Sequence, residues 1–261
     1  MLLTRVLTAV WARRALTVEL IRRALKLRYR GTVLGFVWTM INPLVFMVIY
    51  TLVVTYFFRV EIPKFPAFVL TGLLPWMMWF TEAMSSGTTC IVDHAPFVTN
   101  AVFPAEVLPI VAVGTGMMNF VFSFPVLFFL YLLFDVRLSV TAITLPLVMA
   151  TQASLLLGLI YIAATLNVFF RDMQYIVRHL LTMTFYLTPI LYDFARIPPQ
   201  FHWILRVNPM TTVIDSYRRA LFFGTWPNWR NLGLVMALGA VLMAVGMALF
   251  SARKESFAEN L

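Results

Sequence analysis

Proteins that move ions, or do chemistry inside a bilayer, keep carboxylates or histidines midway along apolar segments. This sequence offers few of them. Glu82 stands near the end of one apolar run, beside Ser85 and Ser86; His179 opens another; His94 and His202 fall in polar connections. Each suits a solvated interface as well as a reactive role. No acids are paired, no residue spacing matches a metal site, and no Asp-rich run of the kind that binds prenyl diphosphates occurs. A phosphate-cradling loop needs Gly-Lys followed by Ser or Thr. The three lysines, Lys26, Lys64 and Lys254, follow Leu25, Pro63 and Arg253, so this chain does not hydrolyse ATP by itself. The one cysteine, Cys90, excludes an intrachain disulfide and a Cys-based metal site.

Two stripes at helical spacing remain. Trp38, Asn42, Phe46, Tyr50 and Phe57 follow one another at intervals of four, four, four and seven. Tyr175, His179, Thr182, Tyr186, Pro189 and Asp193 alternate by four and three. A lipid-facing surface has no need of His, Thr and Asn. A pore for sugars does, because aromatic rings stack on apolar sugar faces while their hydroxyl and indole groups bond sugar hydroxyls. Helix packing with aromatic belts at the bilayer interfaces explains the same pattern equally well.

The elements that carry these residues are set by composition. The chain has 261 residues, 61% hydrophobic and 12% charged, with mean hydropathy +0.87. A soluble domain carries roughly 25% charged residues. An all-α integral membrane protein is expected, a single transmembrane domain over 1–261. A span needs about 20 apolar residues. Six runs are read as spans: Val33 to Phe58, Ala67 to Ser86, Val107 to Phe134, Val140 to Phe170, a shorter Tyr175 to Leu191, and Leu232 to Phe250. Residues Met1 to Val10 are too short and wrongly charged for a cleaved signal peptide, so insertion is expected through the first span.

The net charge is +9, and eight cations against Glu19 fall between Met1 and Thr32. Next to a bilayer such a cluster reads as attraction to anionic headgroups rather than nucleic-acid binding. Within it Leu16, Leu20, Ile21, Ala24 and Leu25 recur at helical spacing, with Arg22, Arg23, Lys26 and Arg30 mostly opposite. This predicts an amphipathic helix lying in the cytoplasmic interface. The positive-inside rule then puts both termini in the cytoplasm. Five arginines between Tyr192 and Arg230 fall outside, against the rule; the denser N-terminal cluster is taken to dominate. In that segment Asn208-Pro209 is a cap and first-turn pair. Met210, Val213, Ile214, Tyr217 and Leu221 follow with helical period, while Asp215, Arg218 and Arg219 are expected on another face. With the short apolar piece after Pro198-Pro199, this predicts two short re-entrant or gate helices over residues 192–229.

Several motifs resemble those of one family in one order along the chain. They are Leu27-Arg28-Tyr29-Arg30-Gly31-Thr32-Val33-Leu34-Gly35 with Trp38 and Asn42-Pro43, Phe103-Pro104-Ala105-Glu106-Val107-Leu108-Pro109, and Leu166-Asn167-Val168-Phe169-Phe170-Arg171-Asp172. Thr188-Pro189-Ile190-Leu191-Tyr192, Ile197-Pro198-Pro199 and Asn208-Pro209-Met210 complete the set. The sequence resembles the Wzm-type permeases, membrane subunits of type-2 ABC exporters for O-antigen and related polysaccharides.

The resemblance implies a homodimer in the bacterial inner membrane, working with a separate Wzt-type ATPase that binds ATP and Mg; this chain would bind no cofactor. The cargo would be a polysaccharide on undecaprenyl diphosphate. Residues 88–104 would form the cytoplasmic coupling helix, with Asp93, His94, Phe97, Glu106, Arg171 and Asp172 at the ATPase contact. Trp38, Asn42, Phe46, Tyr50, Phe57, Tyr175 and Tyr186 would line the channel. Arg22, Arg23, Lys26, Arg28 and Arg30 would recruit the lipid diphosphate. The family often has lysines before its Phe-Pro segment and an arginine within it. Here Val98-Thr99-Asn100-Ala101 and Ala105 stand there, so contacts of those basic residues do not carry over. Teichoic-acid or capsule export is the alternative within the family. An intramembrane glycolipid enzyme, the alternative outside it, would need acidic clusters that the sequence lacks.

Overall fold

The computed structural model describes residues 13–29, 31, 34–59, 62–99, 103–194 and 197–261. The described residues form helices and turns without a strand. Helix α1 is Arg14–Tyr29, and α2 is Trp38–Phe57, α3 Phe65–Asp93. A short α4, Ala95–Val98, follows. Helix α5 is Val107–Leu133 and α6 Val140–Phe169. Then come α7, Met173–Leu187, α8, His202–Val207, and α9, Pro209–Arg218. The last, α10, is Trp229–Asn260.

Five of these helices are long and apolar enough to cross a membrane: α2, α3, α5, α6 and α10. The expected fifth span is the exception. Helix α7 has 15 residues, or about 22 Å at 1.5 Å per residue, against a hydrocarbon core of about 30 Å. It stops because Thr188 turns to an extended backbone and Pro189 follows.

Helix α3 is the centre of the molecule, with 83% of its most apolar stretch buried, against 11% for α2. Pro75 lacks the N–H a regular turn needs, and the backbone widens to a π turn over Pro75–Thr81. The Pro75 carbonyl then accepts a bond from the buried Gln152 side chain of α6 at 2.9 Å. Trp79 donates its indole N–H to the Val113 carbonyl of α5 at 3.0 Å. Helix α5 is interrupted at Ser123, ahead of Pro125.

Helices α6 and α10 lie side by side through glycines. A Cβ on Gly158 would stand 2.6 Å from Leu242 Cβ, and one on Gly246 would stand 2.8 Å from the Gly158 carbonyl oxygen. Apolar association within a bilayer gains from such close backbone approach.

Several boundaries shift. Thr88 to Val92, expected as connection, continue α3. The first span begins at Trp38, and the last runs from Trp229. A helix forms over Arg14–Tyr29, with Thr17 buried and Leu20, Ile21, Ala24 and Leu25 half-buried, whereas Leu16 points outward.

Candidate functional site

The molecule has two ends, marked by the turn after Asp93 and the turn at Asp135. At the Asp93 end, α4 is a single turn whose Phe97 is exposed and packs near His94 and Phe103. His94 is held through its Nδ1 and the Cys90 carbonyl, 2.8 Å apart. Thr89 donates to Asp93 Oδ2 at 2.6 Å. Glu106, however, faces the chain's own tail: Lys254 Nζ lies 2.5 Å from its Oε1, and Tyr161 donates to its carbonyl at 2.8 Å. Arg171 likewise donates to the Asn260 carbonyl at 3.3 Å. Phe257, fully buried, packs on Phe250, Phe169 and Ala164-Val168 of α6. Of the expected coupling residues, Asp93, Phe97, Arg171 and Asp172 are exposed and His94 is half-buried, while Glu106 and Arg171 also bond to the tail. The tail residues Lys254, Phe257 and Asn260 were not singled out from the sequence, because charge and brevity alone do not distinguish a docked tail from a free one.

Beside this end, α1 packs along α5, where Ile21 fills the space over Gly114. Arg22, Arg23 and Lys26 are exposed on its far side. Arg28 is exposed as well but has a partner: its guanidinium is ion-paired with Glu82 of α3. The Glu82 Oε1 also accepts from the fully buried Asn119 amide of α5 at 2.6 Å. Arg28 thus holds α1 against the bundle. Arg30 lies outside the described residues.

Of the two aromatic stripes, the structure joins the middle parts. Phe46 and Tyr50 stack with ring centroids 6.0 Å apart, Tyr50 meets Phe185 of α7 at 6.0 Å, and Phe185 meets Tyr186 at 5.3 Å. Trp76 of α3 backs Phe185 at 5.9 Å. Phe185 is the link that the sequence pattern missed, since it stands one position off the Tyr175–Tyr186 stripe. Trp38, Asn42, Phe57 and Tyr175 are not part of this group; within one chain all four are exposed. Helix α2 buries the other side, Thr39, Pro43 and Met47. Most of α7 is uncovered too, with only Val177 and Leu181 buried.

At the Asp135 end, α9 is driven into the core. Its N-terminus is capped as expected: Asn208 accepts from Met210 N–H at 3.0 Å and donates to Thr188 Oγ1 at 2.8 Å. Met210, Val213, Ile214 and Tyr217 are buried, Tyr217 edge-on to Phe120 at 5.4 Å. Arg218 does not face away from this core; it is 4% exposed. Its guanidinium lies 3.6 Å over the Phe68 ring and donates to the Pro189 and Ile190 carbonyls just past the end of α7. A cation there meets the partial negative charge of a helix C-terminus. Gly72 makes the room, since a Cβ would stand 2.9 Å from the guanidinium. Arg219 pairs with Asp215 at 2.6 Å. Together, short α7, the turn at Pro189 and α9 form one unit pinned by Arg218.

The chain's likeness to other proteins agrees with this geometry. The model of the ABC-2 type transporter family matches residues 15–222. The chain is 37% identical over 259 residues to the O-antigen export system permease protein RfbA of Myxococcus xanthus, covering 98% of this chain and 99% of that one. It is 33% identical over 247 residues to a protein of the same name from Klebsiella pneumoniae, covering 94% and 95%. The polysialic acid transport protein KpsM of Escherichia coli is 24% identical over 249 residues. A full-length match in one order, on a bundle of apolar helices, places this chain in the ABC-2 type transporter family as a polysaccharide-export permease.

Proposed function

We propose that this chain is the channel subunit of an ATP-driven exporter, moving undecaprenyl-diphosphate-linked polysaccharide, O-antigen foremost, across the bacterial inner membrane. Two copies would enclose the path, and a Wzt-type ATPase would bind ATP and Mg and dock on α4 and the exposed Asp93, Phe97 and Asp172. Both termini lie in the cytoplasm in this reading, with the Asp135 end outside. Helix α7 then makes the lower part of a sixth crossing, and the Pro189 turn with α8 and α9 completes it as the exterior gate. Non-helical backbone at that depth is tolerated where it is buried in protein, and Arg218 supplies the donors that the turn needs.

The observation that carries this reading is the uncovered aromatic face of α2 and α7, joined at Tyr50 and Phe185. A single-copy protein in lipid gains nothing from leaving Asn42, Tyr175, His179 and Thr182 exposed on such a face. A wall shared by two copies does: many weak stacking contacts hold a glycan without stopping it. The exposed cations of α1, Arg22, Arg23 and Lys26, serve as the recruiting site for the lipid diphosphate. The test is to express Trp38→Ala, Phe46→Ala, Tyr50→Ala and Tyr186→Ala in cells lacking the native permease and to measure surface polymer. Reduced export with the ATPase complex still assembled is expected. Normal export from all four variants rules out the aromatic path.

A further inference from the structure

A cavity of about 960 Å³ opens at the Asp135 end, between α8, α9 and the first turns of α10. Four arginines line it, Arg206, Arg218, Arg219 and Arg230, against two aspartates, Asp193 and Asp215. The charges do not cancel. Arg219 is taken by Asp215, and Arg218 is buried over Phe68 with its Nη atoms on backbone carbonyls. Arg206 and Arg230 have no ion-pair or hydrogen-bond partner among the described residues. Two excess cations therefore face one concave space.

Buried donors point the same way. Thr211 lines the cavity, is 7% exposed, and its hydroxyl has no hydrogen-bond partner. The Nε of Arg218, on the same wall, has none either. A buried polar group without a partner is unfavourable, so both await an acceptor. The depth is marked by three exposed tryptophans. Trp203 precedes Arg206 by one turn of α8, while Trp226 and Trp229, ring centroids 6.1 Å apart, flank Asn228 and adjoin Arg230. Exposed tryptophans gather at the headgroup level of a bilayer.

We infer that this cavity is a binding site for the phosphate or diphosphate headgroup of a lipid in the outer leaflet, held by Arg206 and Arg230, with Thr211 and the Arg218 Nε as inner donors. Arginine forks match phosphate oxygens two at a time. Its place on the outer side rests on the exporter reading above. There it would receive the lipid end of the cargo as it leaves the gate, or an ordinary phospholipid that keeps the gate closed; the headgroup chemistry is shared.

The experiment uses the full chain with its ATPase partner in a phosphate-free maltoside detergent, titrated separately with undecaprenyl diphosphate, phosphatidylglycerol and inorganic diphosphate. With Arg206→Gln and Arg230→Gln combined, binding of undecaprenyl diphosphate is expected to weaken by about tenfold or more; Arg206→Lys with Arg230→Lys should retain most of it. Preferential loss of undecaprenyl diphosphate assigns the site to the cargo lipid, and a parallel loss of phosphatidylglycerol assigns it to phospholipid headgroups. Unchanged binding of both lipids overturns the site, as does equal affinity for inorganic diphosphate that is lost in the same variant. Surface polymer is measured in parallel in cells lacking the native permease. Restoration by the unaltered chain, with lipid binding unaffected in the glutamine variant, rejects the headgroup site alone. No restoration by the unaltered chain rejects the exporter reading, whatever the binding data show.

Discussion

The guanidinium of Arg28 on α1 is ion-paired with the carboxylate of Glu82 on α3, and the same carboxylate accepts from Asn119 on α5. One acid thereby ties α1 to the two helices behind it. A surface ion pair contributes little, about 0–1 kcal/mol. This one is sheltered on the Glu82 side and shared with a buried amide, which raises the cost of breaking it. Glu82→Leu is expected to destabilise the protein by about 1–3 kcal/mol and to free α1 to proteolysis. The exchange Arg28→Glu with Glu82→Arg should recover part of the loss. Thermal unfolding and limited proteolysis in detergent check this. Equal protease resistance of the Leu variant and the native chain would rule out the tether.

Arg218 pins α9 to the end of α7. Arg218→Met removes two bonds to the Pro189 and Ile190 carbonyls and the contact on Phe68. Leaving each of the two carbonyls without its donor costs about 1–3 kcal/mol. Arg218→Lys should recover little, because an ammonium cannot donate to both carbonyls as a planar fork does. The expected result is a lowered unfolding temperature in both variants, with cysteine labelling near Pro189 increased. A lysine variant as stable as the native chain contradicts the pin.

The α6–α10 seam allows no side chains at Gly158 and Gly246. Gly158→Val and Gly246→Val should each cost about 1–3 kcal/mol through forced separation of the helices. Gly233→Ala, on the same α10 with nothing within 4 Å of the added carbon, should be neutral or slightly stabilising. Detergent melting curves of the three variants give the comparison.

Phe257 anchors the tail against Phe250 and Phe169. Phe257→Ala should cost about 3–5 kcal/mol locally. Because Lys254 and Asn260 hold Glu106 and Arg171, loosening the tail should also disturb the turn that carries Phe97. The measurable outcome is ATPase activity that no longer rises with export, while the spans still assemble. If ATPase activity and export fall in step, the tail has no part in coupling.

Phe185 bridges Tyr50 and Trp76. Phe185→Leu keeps its bulk but not its ring face, so export should fall several-fold with little change in unfolding temperature. Quantifying surface polymer against protein level separates this from misfolding.

The residue order by itself determined that this chain lives in a bilayer. Long apolar runs, a cationic N-terminal helix and the Asn208-Pro209 cap are local properties, and local propensity and period decide them. The buried face Met210, Val213, Ile214 and Tyr217 was legible for the same reason. What only the tertiary structure decided depends on which helix covers which. Arg218 shares its helix with Asp215, stands next to Arg219 and looks equally polar, yet it is buried because Gly72 and Phe68 leave a slot and the Pro189 turn offers carbonyls. Arg28 resembles Arg22 and Arg23 in sequence, but only Arg28 meets an acid, Glu82, that lies 54 positions away. Glu106 and Arg171 read as contacts for a partner until the tail brings Lys254 and the Asn260 carbonyl to them. Whether a charge is paired, buried or free is a property of neighbours brought together across the bundle, and helical period along one segment carries no record of them.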